Sequence, residues 1–488
     1  MKKFTLIMSS ILMFSFAFSQ ETETEEMSQE QIMQQKMDEL LNEINEMKSI
    51  FNQENATLQS KIMMLEEANK DLAKDLGDNL ENQKSQFEIK WNNGYSISSG
   101  DGMHSLKFGG RLMLDESRWV QDKGEAMKAA GIRRARLYHA GHVYGDIFSY
   151  KFDLDFSGAS LSFKDMYIEI DMKGSKKSWG KLRSGHFKHP FGLESLTSSN
   201  NMTFMERSLP NSLFPDRGAG TMYHTTCFSD KMSLQLGAFF EGKDEEMAKM
   251  DFMSNDAHNI TGRLTYLPIN KDDKLLHVGA SFARRVNLDQ TGENLNIEVK
   301  PENNFADPLL HYNSEADAMN LIGTEMSLVL GSLSFQAEYM MGNVDEIHHH
   351  DEDHGEDHSD DHEDIGMSGY YAQVSYFLTG EKRQYKSSYS GFGRVNPKKN
   401  YLDGKSYGAL ELAIRYSGMS FDADTYMMDE MPHTDPASLN NFTVGLNWYI
   451  NPAMRVMFNY VMATKKFDVD GMEDVKENAL MSRIQINF

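Results

Sequence analysis

Over residues 105–488 the sequence repeatedly alternates apolar and polar residues with a period of two, and this pattern restricts the fold more than any other feature. Phe108 and Leu112, for example, alternate with Lys107 and Arg111. Because successive side chains of a strand point to opposite faces, such a segment has one apolar and one charged face. Clusters of Gly, Asp, Asn, Ser and Lys separate the segments, as turns separate strands. The sequence therefore predicts an antiparallel all-β region.

Two architectures fit this pattern. In a soluble β-sandwich, the polar faces meet water and the strands fall into domains of ordinary size. In a transmembrane barrel, the apolar face meets lipid and the polar face lines the lumen. Here the strands continue to the end of the chain without a helical segment, and closure into a barrel leaves no unpaired edge. We therefore predict a transmembrane β-barrel over residues 105–488.

Counting the alternating segments gives 16 strands, an even number as in closed single-chain bacterial barrels. The last strand places Leu480, Ile484 and Ile486 on one face and ends on the aromatic Phe488. This ending resembles the C-terminal targeting strand of outer-membrane barrels. The predicted location is the outer membrane of a Gram-negative bacterium, with membrane lipid around the barrel. The predicted strand starts lie near residues 105, 131, 146, 161, 179, 219, 231, 259, 274, 318, 332, 367, 406, 439, 454 and 479.

The N-terminus has the pattern of a secretory signal peptide over residues 1–19. Lys2 and Lys3 precede an apolar run, and Ser19 is followed by an acidic linker that we place at residues 20–32. A membrane anchor is the alternative, but the apolar run is short for a spanning helix and no lipid-carrying cysteine follows it. We therefore expect the segment to be cleaved after export.

Residues 33–78 carry a seven-residue repeat of apolar side chains. An unbroken heptad register of this kind indicates a coiled coil, whereas an amphipathic helix packed on a globular core would need less uniformly polar outer faces. The second register is interrupted by Lys48, Asn55 and Asn69, which would fix the alignment of the helices. We predict a periplasmic coiled coil here, followed by a linker over residues 79–104. The first register consists of Met37, Ile44, Phe51, Leu58, Leu65 and Leu72.

The formal net charge of -24 is unevenly distributed. Most of the excess acid lies in residues 21–90 and 345–364, so the predicted barrel is close to neutral. An acidic balance argues against a nucleic-acid partner. The single cysteine, Cys227, has no second thiol for an internal disulfide. Since no catalytic motif stands on the structural element that it needs, we expect neither an enzyme nor a dedicated cofactor.

Several segments of the barrel region resemble a known family, the phosphate-selective porins O and P, in order and in spacing. The likeness is strongest over residues 105–220, thinner over 406–488, and absent from the heptads. It implies a homotrimer of sixteen-stranded barrels that act as passive channels for small anions, with phosphate or polyphosphate as candidate solutes. It also implies that the third external loop folds inward, and the strand count places that loop at residues 191–218. The segments are Gly109-Gly110-Arg111-Leu112, Ile132-Arg133-Arg134-Ala135-Arg136-Leu137, Phe163-Lys164-Asp165-Met166-Tyr167-Ile168-Glu169, Gly185-His186-Phe187-Lys188-His189-Pro190-Phe191-Gly192-Leu193-Glu194 and Phe204-Met205-Glu206-Arg207-Ser208-Leu209-Pro210-Asn211.

Strand parity places a column of cationic side chains on the inward face, where guanidinium groups can bind successive anions. The alternative is that these cations only form ion pairs with acids on neighbouring strands, and such acids are present. In the predicted constriction loop, Glu206, Arg207, Asp216 and Arg217 are candidates for setting the charge of the narrowest point. The predicted anion contacts are Arg111, Arg134, Arg136, Lys188, Arg285, Arg415, Arg455 and Arg483.

The predicted external loop 343–366 is rich in His, Asp and Glu. Imidazole and carboxylate groups at this density can bind Zn²⁺, Cu²⁺ or Ni²⁺ weakly, although a hydrophilic disordered loop explains the same composition. Two further functions therefore stand beside the anion channel: a metal-binding surface barrel and a structural tether of the envelope through the coiled coil. The candidate metal ligands are His348, His349, His350, His354, His358 and His362.

Overall fold

The structure is a computed structural model, and the part of the chain from 1 to 85 forms one compact unit while the part from 86 to 488 forms another. The predicted signal peptide 1–19 and most of the predicted linker 20–32 lie outside the described residues. The structure describes residues 29–82, 87–91, 94–122, 124–158, 161–173, 178–214, 216–241, 257–348, 361–387, 391–401, 404, 406–428, 431–469 and 471–488.

The first unit is a single helix, α1 (Gln29–Asn82), which extends the heptad region by a few residues at each end. All side chains from residue 32 to residue 77 are exposed, including the apolar heptad residues such as Leu58 and Leu65. The predicted helix is confirmed, and its pairing in a coiled coil stays a prediction. None of the helices in the described ranges is long and apolar enough to cross a membrane.

The second unit contains a closed antiparallel barrel of 16 strands, as predicted. Closure occurs between the last strand and the first, where Asn487 lies opposite Arg111. The barrel strands are β3 (Ser105–Gln121), β4 (Met127–Val143), β5 (Phe148–Asp155), β6 (Ser162–Lys173), β7 (Ser178–Lys188), β8 (Arg217–Cys227), β9 (Met232–Phe240), β10 (His258–Lys271), β11 (Lys274–Val286), β14 (Ala316–Leu330), β15 (Leu333–His348), β16 (Asp361–Phe377), β19 (Ala409–Met428), β20 (Met431–Tyr449), β21 (Met454–Phe467) and β22 (Val475–Asn487).

Among the described residues, three two-stranded hairpins, one α-helical turn and two short 3-10 turns (Leu209–Leu213 and Leu288–Thr291) accompany the barrel. The hairpin of β1 and β2 adds to the beginning of β3, and the other two hairpins lie in connections between barrel strands. The helical turn α2 lies in the connection after β7. Their bounds are β1 (Phe87–Trp91), β2 (Tyr95–Ser99), β12 (Leu295–Val299), β13 (Leu310–Ser314), β17 (Tyr385–Lys386), β18 (Gly391–Phe392) and α2 (Leu193–Leu196).

The alternation of the sequence corresponds to two faces of the barrel wall. On β22, Leu480 is 57 % exposed and its neighbour Met481 is 2 % exposed, so the apolar even-numbered residues face outward. At one end of the barrel the connections are short turns, except for residues 378–408, and several long connections lie at the other end. Since bacterial barrels have short periplasmic turns and longer external loops, the chain enters β3 from the periplasmic side.

Two predicted loop boundaries differ from the structure. The third external loop comprises residues 189–216, not 191–218, because Arg217 already pairs with Lys188 as the first residue of β8. The predicted loop 343–366 is shorter, because β15 and β16 continue as a paired hairpin as far as His348 and Asp361. Both differences arise where strand pairing continues beyond the alternating apolar residues.

The lumen is not uniformly filled. On the side formed by β14–β22, which we call the filled side, residues from two external loops pack on inward apolar side chains of the wall. Phe191 and Leu209 come from the loop 189–216, whereas Leu310 and Tyr312 come from the loop 287–315. We call the side formed by β3–β9 the open side, because a cavity remains there. The barrel therefore holds an apolar core beside a polar space.

Candidate functional site: a basic cavity in the lumen

The loop 189–216, which we call the constriction loop, crosses the lumen and is attached to the filled side. The backbone N–H groups of Leu193 and Glu194 donate to the carboxylate of Glu338 on β15, at 2.8 and 2.7 Å. Farther along the loop, Arg483 on β22 donates to the carbonyl oxygen of Met205 at 2.6 Å. These contacts join loop backbone to wall side chains, so the loop has a defined position. The resemblance implied such an inward loop.

Arg415 on β19 is the centre of a second attachment and is 1 % exposed. Its guanidinium donates to Glu194 of the constriction loop at 3.1 Å and to Glu302 of the loop 287–315 at 2.5 Å. Ser417 and Thr443 on the wall also donate to the Glu302 carboxylate. Glu302 adopts a left-handed φ of 54°, a conformation that these contacts must offset. Arg415 therefore holds two external loops on one wall.

The connection between β16 and β19, residues 378–408, also enters the lumen, but from the periplasmic side; we call it the periplasmic insert. Arg383 donates to the hydroxyl of Thr203 in the constriction loop. Phe392 meets the same loop, because its N–H donates to Thr197 at 3.3 Å and its carbonyl accepts from Asn201 at 3.2 Å. The sequence pattern gave no reason for so long a periplasmic connection. The structure shows that it packs against the constriction loop.

A cavity of about 530 Å³ lies between the open side, the constriction loop and the periplasmic insert. Its lining contains eleven Lys and Arg side chains but only three Asp side chains, so its charge is strongly positive. Aromatic side chains such as Tyr138 and Tyr167 complete the wall. The eleven cationic residues are Lys107, Arg111, Arg134, Arg136, Lys151, Arg183, Lys188, Arg207, Arg217, Lys386 and Arg394.

Four of the eight predicted anion contacts line this cavity: Arg111, Arg134, Arg136 and Lys188. The other four lie elsewhere and make contacts within the protein. Arg415, Arg455 and Arg483 attach the constriction loop to the filled side, and Arg285 on β11 pairs with Glu241 at 2.9 Å. Lys188 reaches the cavity from the end of β7, where its neighbour Phe187 holds the inward position, and the other seven share inward parity. Inward parity is therefore a wider property than access to the cavity.

The cations of the cavity differ in how far they are neutralised. Arg136 pairs with Asp155 at 2.7 Å, and Lys188 pairs with Asp216 at 3.0 Å. Arg134 has no such partner within the described residues, where its nearest recorded contact is the sulfur of Met113 at 3.7 Å and its Nε has no hydrogen bond.

Two further cations of the cavity also have no acidic partner in the described part of the chain. Neither Lys107 nor Arg394 forms an ion pair or side-chain hydrogen bond among the residues described. Lys107 belongs to the first barrel strand and Arg394 to the periplasmic insert, so the two border the cavity from different parts of the chain. With Arg134 they leave three positive charges available to a solute.

The four constriction-loop candidates divide in the same way. Arg207, Asp216 and Arg217 line the cavity, and Arg207 donates to three carbonyl oxygens of its own loop, each at 3.2 Å. Glu206 instead pairs with Arg133 at 2.9 Å and Arg483 at 2.8 Å. Burial alone would raise the pKa of Glu206, but the Arg133 guanidinium outweighs burial and holds that pKa well below its usual range. Glu206 is therefore ionised, and its ion pairs connect the constriction loop to the barrel wall.

Sequence parity missed some inward cations for identifiable reasons. Arg133 lies at a bulge, where the pairing of β3 with β4 shifts between Met113 and Leu114, and its side chain turns inward to Glu206. Arg183 follows regular alternation on β7 and was open to prediction by the same rule as Arg136. Lys386 and Arg394 belong to the periplasmic insert, whose inward course no local pattern indicates.

The predicted metal ligands are only partly described. His348 and His362 lie on β15 and β16, whereas His349, His350, His354 and His358 lie outside the described residues. Within the described ranges, no group of three or more His, Cys, Asp or Glu side chains is arranged to hold a metal ion. Metal binding by this segment stays a prediction.

Comparison with known proteins identifies the family. Residues 106–488 match the family described as phosphate-selective porin O and P. Porin O of Pseudomonas aeruginosa is 28 % identical over 431 residues, which cover 82 % of this chain and 92 % of that protein.

Solved structures provide further matches. An anion-selective porin from Comamonas acidovorans matches with a TM-score of 0.45 and 13 % identity, over 78 % of this chain and 100 % of that one. The trimer form of OmpT from Vibrio cholerae matches with a TM-score of 0.45 and 10 % identity, over 79 % of this chain and 99 % of that one. On the family match and the barrel together, this chain belongs to the phosphate-selective porin O and P family and is an outer-membrane porin.

Proposed function

We propose that this porin is a passive channel selective for small anions, which pass through the basic cavity of the open side. The observation that carries this proposal is the charge of the lining, with eleven cationic and three acidic side chains. Because a narrow space with low-dielectric walls concentrates the field of its charges, an anion is attracted and a cation is repelled there. The partly neutralised cations keep individual binding weak enough for the ion to leave.

Phosphate is the solute that we propose first, with polyphosphate as its larger homologue. Arg and Lys side chains from several strands surround the cavity, and guanidinium groups bind phosphate oxygens in a bidentate manner. The relative from Pseudomonas aeruginosa is named porin O, and the family description specifies phosphate. The family description supports the proposal by relationship only. The positive charge of the cavity lining adds a physical reason to expect phosphate binding.

The decisive test uses the mature full-length protein in planar bilayers under a KCl gradient. We expect a reversal potential of the sign that chloride preference produces. Added phosphate should then lower the chloride current, because both anions compete for the same cations. A cation-selective reversal potential would contradict the channel proposal. Unchanged chloride current at saturating phosphate would contradict phosphate binding but not anion selectivity.

We also propose that three copies assemble and that α1 lies in the periplasm, where the three helices pair in parallel. The support is the exposed heptad register on a helix of 54 residues, together with the trimer implied by the family resemblance. Asn residues in one register are better known from parallel dimers, so the helix alone favours a different stoichiometry. We propose the trimer because contacts between barrels bury more surface than one helix seam.

Native mass spectrometry of the protein in detergent tests the assembly. Deletion of residues 21–85 should weaken the trimer without preventing barrel folding, because the barrel is a separate compact unit. A matched variant replaces Leu58 and Leu65 by Asp and leaves the length of the helix unchanged. A full-length monomer would contradict the assembly. A trimer equally stable in all three proteins would contradict only the role of the helix.

A further inference from the structure

The hairpin of β1 and β2 has an apolar face that nothing in the second unit covers. Phe87, Ile89, Trp91 and Tyr95 are each more than half exposed. The register places Trp91 opposite Tyr95, and their rings meet edge to face with centroids 5.0 Å apart. This exposure is unusual for a short hairpin, because isolated hairpins in water have little stability of their own.

The same face continues the lipid-facing surface of the barrel. Tyr95 lies directly opposite Phe108 on β3, so the two side chains share a face. Phe108 is 44 % exposed and belongs to the outward apolar series of β3. Ile97 lies opposite Leu106 in the same way, one step closer to the periplasm. The apolar surface thus passes from barrel wall to hairpin without a break.

The opposite face of the hairpin is polar. Glu88 and Lys90 form an ion pair at 2.5 Å, and Ser98 and Ser96 lie opposite them on β2. The hairpin is therefore amphipathic across its two faces. Because β2 pairs with β3, the apolar face of the hairpin points outward, as the apolar face of β3 does. The polar face of the hairpin points towards the axis of the barrel.

The position of the hairpin along β3 sets its depth. The outward side chains of the hairpin form three rows, each two residues farther along the strands and closer to the periplasm. The first row, at the level of Phe108, contains Trp91 and Tyr95; the second contains Ile89 and Ile97; the third contains Phe87 and Ser99. Two residues span about 6.8 Å along a strand, which is about 5 Å of depth at the usual tilt of barrel strands. The polar zone of each leaflet is about 5–7 Å thick. Measured from the Phe108 level, the three rows therefore span about 10 Å of depth, and the middle row, with Ile89, lies about 5 Å below that level, within one headgroup zone.

The turn of the hairpin is built for close contact with the barrel. Gly94 is buried and has a φ of 117°, and a Cβ atom at this position would collide with the carbonyl oxygen of Phe108. Only glycine permits both the backbone conformation and this approach. The hairpin is thus fixed to β3 by its turn as well as by strand pairing.

We propose that the apolar face of this hairpin binds the phospholipids of the periplasmic leaflet at the level of their headgroups. Trp and Tyr side chains prefer this zone because their rings are apolar and their N–H and O–H groups remain hydrated. The hairpin lengthens the barrel wall at one place and anchors the periplasmic rim in the membrane. Its occupant is lipid, because its face is continuous with a surface that already faces lipid.

The test uses full-length protein with Cys227→Ser, reconstituted in phosphatidylcholine nanodiscs. A small fluorophore is attached to Ile89→Cys on the apolar face, or to Lys90→Cys on the polar face as the matched control. Ile484→Cys, on the lipid-facing wall, is the positive control. The quenchers are acyl chains brominated near the headgroup, acyl chains brominated near the chain end, and aqueous iodide. The heat-modifiable mobility of the folded barrel confirms that each variant is native.

We expect the probe at position 89 to lose several-fold more emission to headgroup-proximal bromine than the probe at position 90. At position 89 the loss should also exceed that caused by bromine near the chain end. Protection from both bromine and iodide would show that protein covers the face, either a second copy or α1, and would overturn the proposal. Strong iodide quenching without bromine quenching would overturn it by showing a face exposed to water.

Discussion

The open and filled sides of the lumen contain the same residue type in opposite surroundings. Arg415 on the filled side is bound by two carboxylates and shielded from the cavity, whereas Arg134 on the open side lines the cavity and has no carboxylate partner in the described part of the chain. An inward arginine is therefore not by itself a binding group for a solute. Its partners decide whether its charge is available to the channel or consumed within the wall.

The difference follows from which segments each side holds. On the filled side, carboxylates arrive from external loops, and Arg415 connects Glu194 and Glu302 across more than one hundred residues of sequence. A buried ion pair of this kind fixes geometry better than it adds stability, because desolvation offsets the attraction. On the open side, the acids belong to neighbouring strands and are too few to neutralise the cations. The filled side therefore holds the constriction loop in position, and that loop forms part of the cavity wall on the open side.

The largest difference between the two sides should appear in stability. Arg415→Met leaves two buried carboxylates without their shared cation, so we expect a loss of about 3–5 kcal/mol in the free energy of unfolding. The matched change Arg134→Met leaves no ion pair broken and should shift that free energy by about 1 kcal/mol or less. Guanidinium titration in lipid, followed by tryptophan fluorescence, gives both values.

The control for this comparison removes the acids as well. Combining Arg415→Met with Glu194→Gln and Glu302→Gln takes away the uncompensated charge, so much of the lost stability should return. If the single Arg415 variant is as stable as the parent protein, the loops are held by the apolar core and the two sides do not differ as we argue. Equal losses for Arg415→Met and Arg134→Met would have the same consequence.

Ion selectivity should show the reverse order, with a smaller effect. Removing one charge at about 8 Å from a passing ion in water changes its energy by about 0.5 kcal/mol, so Arg134→Met should reduce anion preference roughly two- to threefold. The stabilised triple variant of the filled side should keep the parent preference, because Arg415 does not line the cavity. Reversal potentials under a KCl gradient measure both. A larger loss of selectivity in the triple variant would show that the conducting path runs along the filled side rather than the open side.

Much of the barrel was predictable because local periodicity determines it. Alternation along each segment predicts strand pairing, and the sixteen strands with their inward parity follow from it. Arg133 shows where the rule ends: a single bulge inserts one residue, and the side chain that parity assigns to lipid turns to Glu206. Such a bulge leaves no mark in the sequence that distinguishes it from regular alternation.

The division of the lumen was not predictable in this way. It depends on contacts between segments far apart in sequence, such as Arg415 with Glu302 and Phe392 with Thr197. Apolar residues of the loop 287–315 lie in a connection between two strands, but they form part of a core inside the barrel. Periodicity describes one strand at a time, whereas the course of a loop through the lumen depends on the whole wall.

The smallest effect on conduction should come from the His-rich segment, which belongs to the filled side through the hairpin of β15 and β16. We propose that it binds Zn²⁺, Cu²⁺ or Ni²⁺ weakly, on the basis of its composition. Replacing residues 349–360 by a short Gly-Ser turn should leave conductance and selectivity unchanged, because the paired strands on either side are kept as far as His348 and Asp361. Calorimetry should then show Zn²⁺ binding by the parent protein and none by the variant. No binding by the parent would remove the metal proposal, whereas altered selectivity in the variant would show that the filled side contributes to the path and that the two sides are not independent.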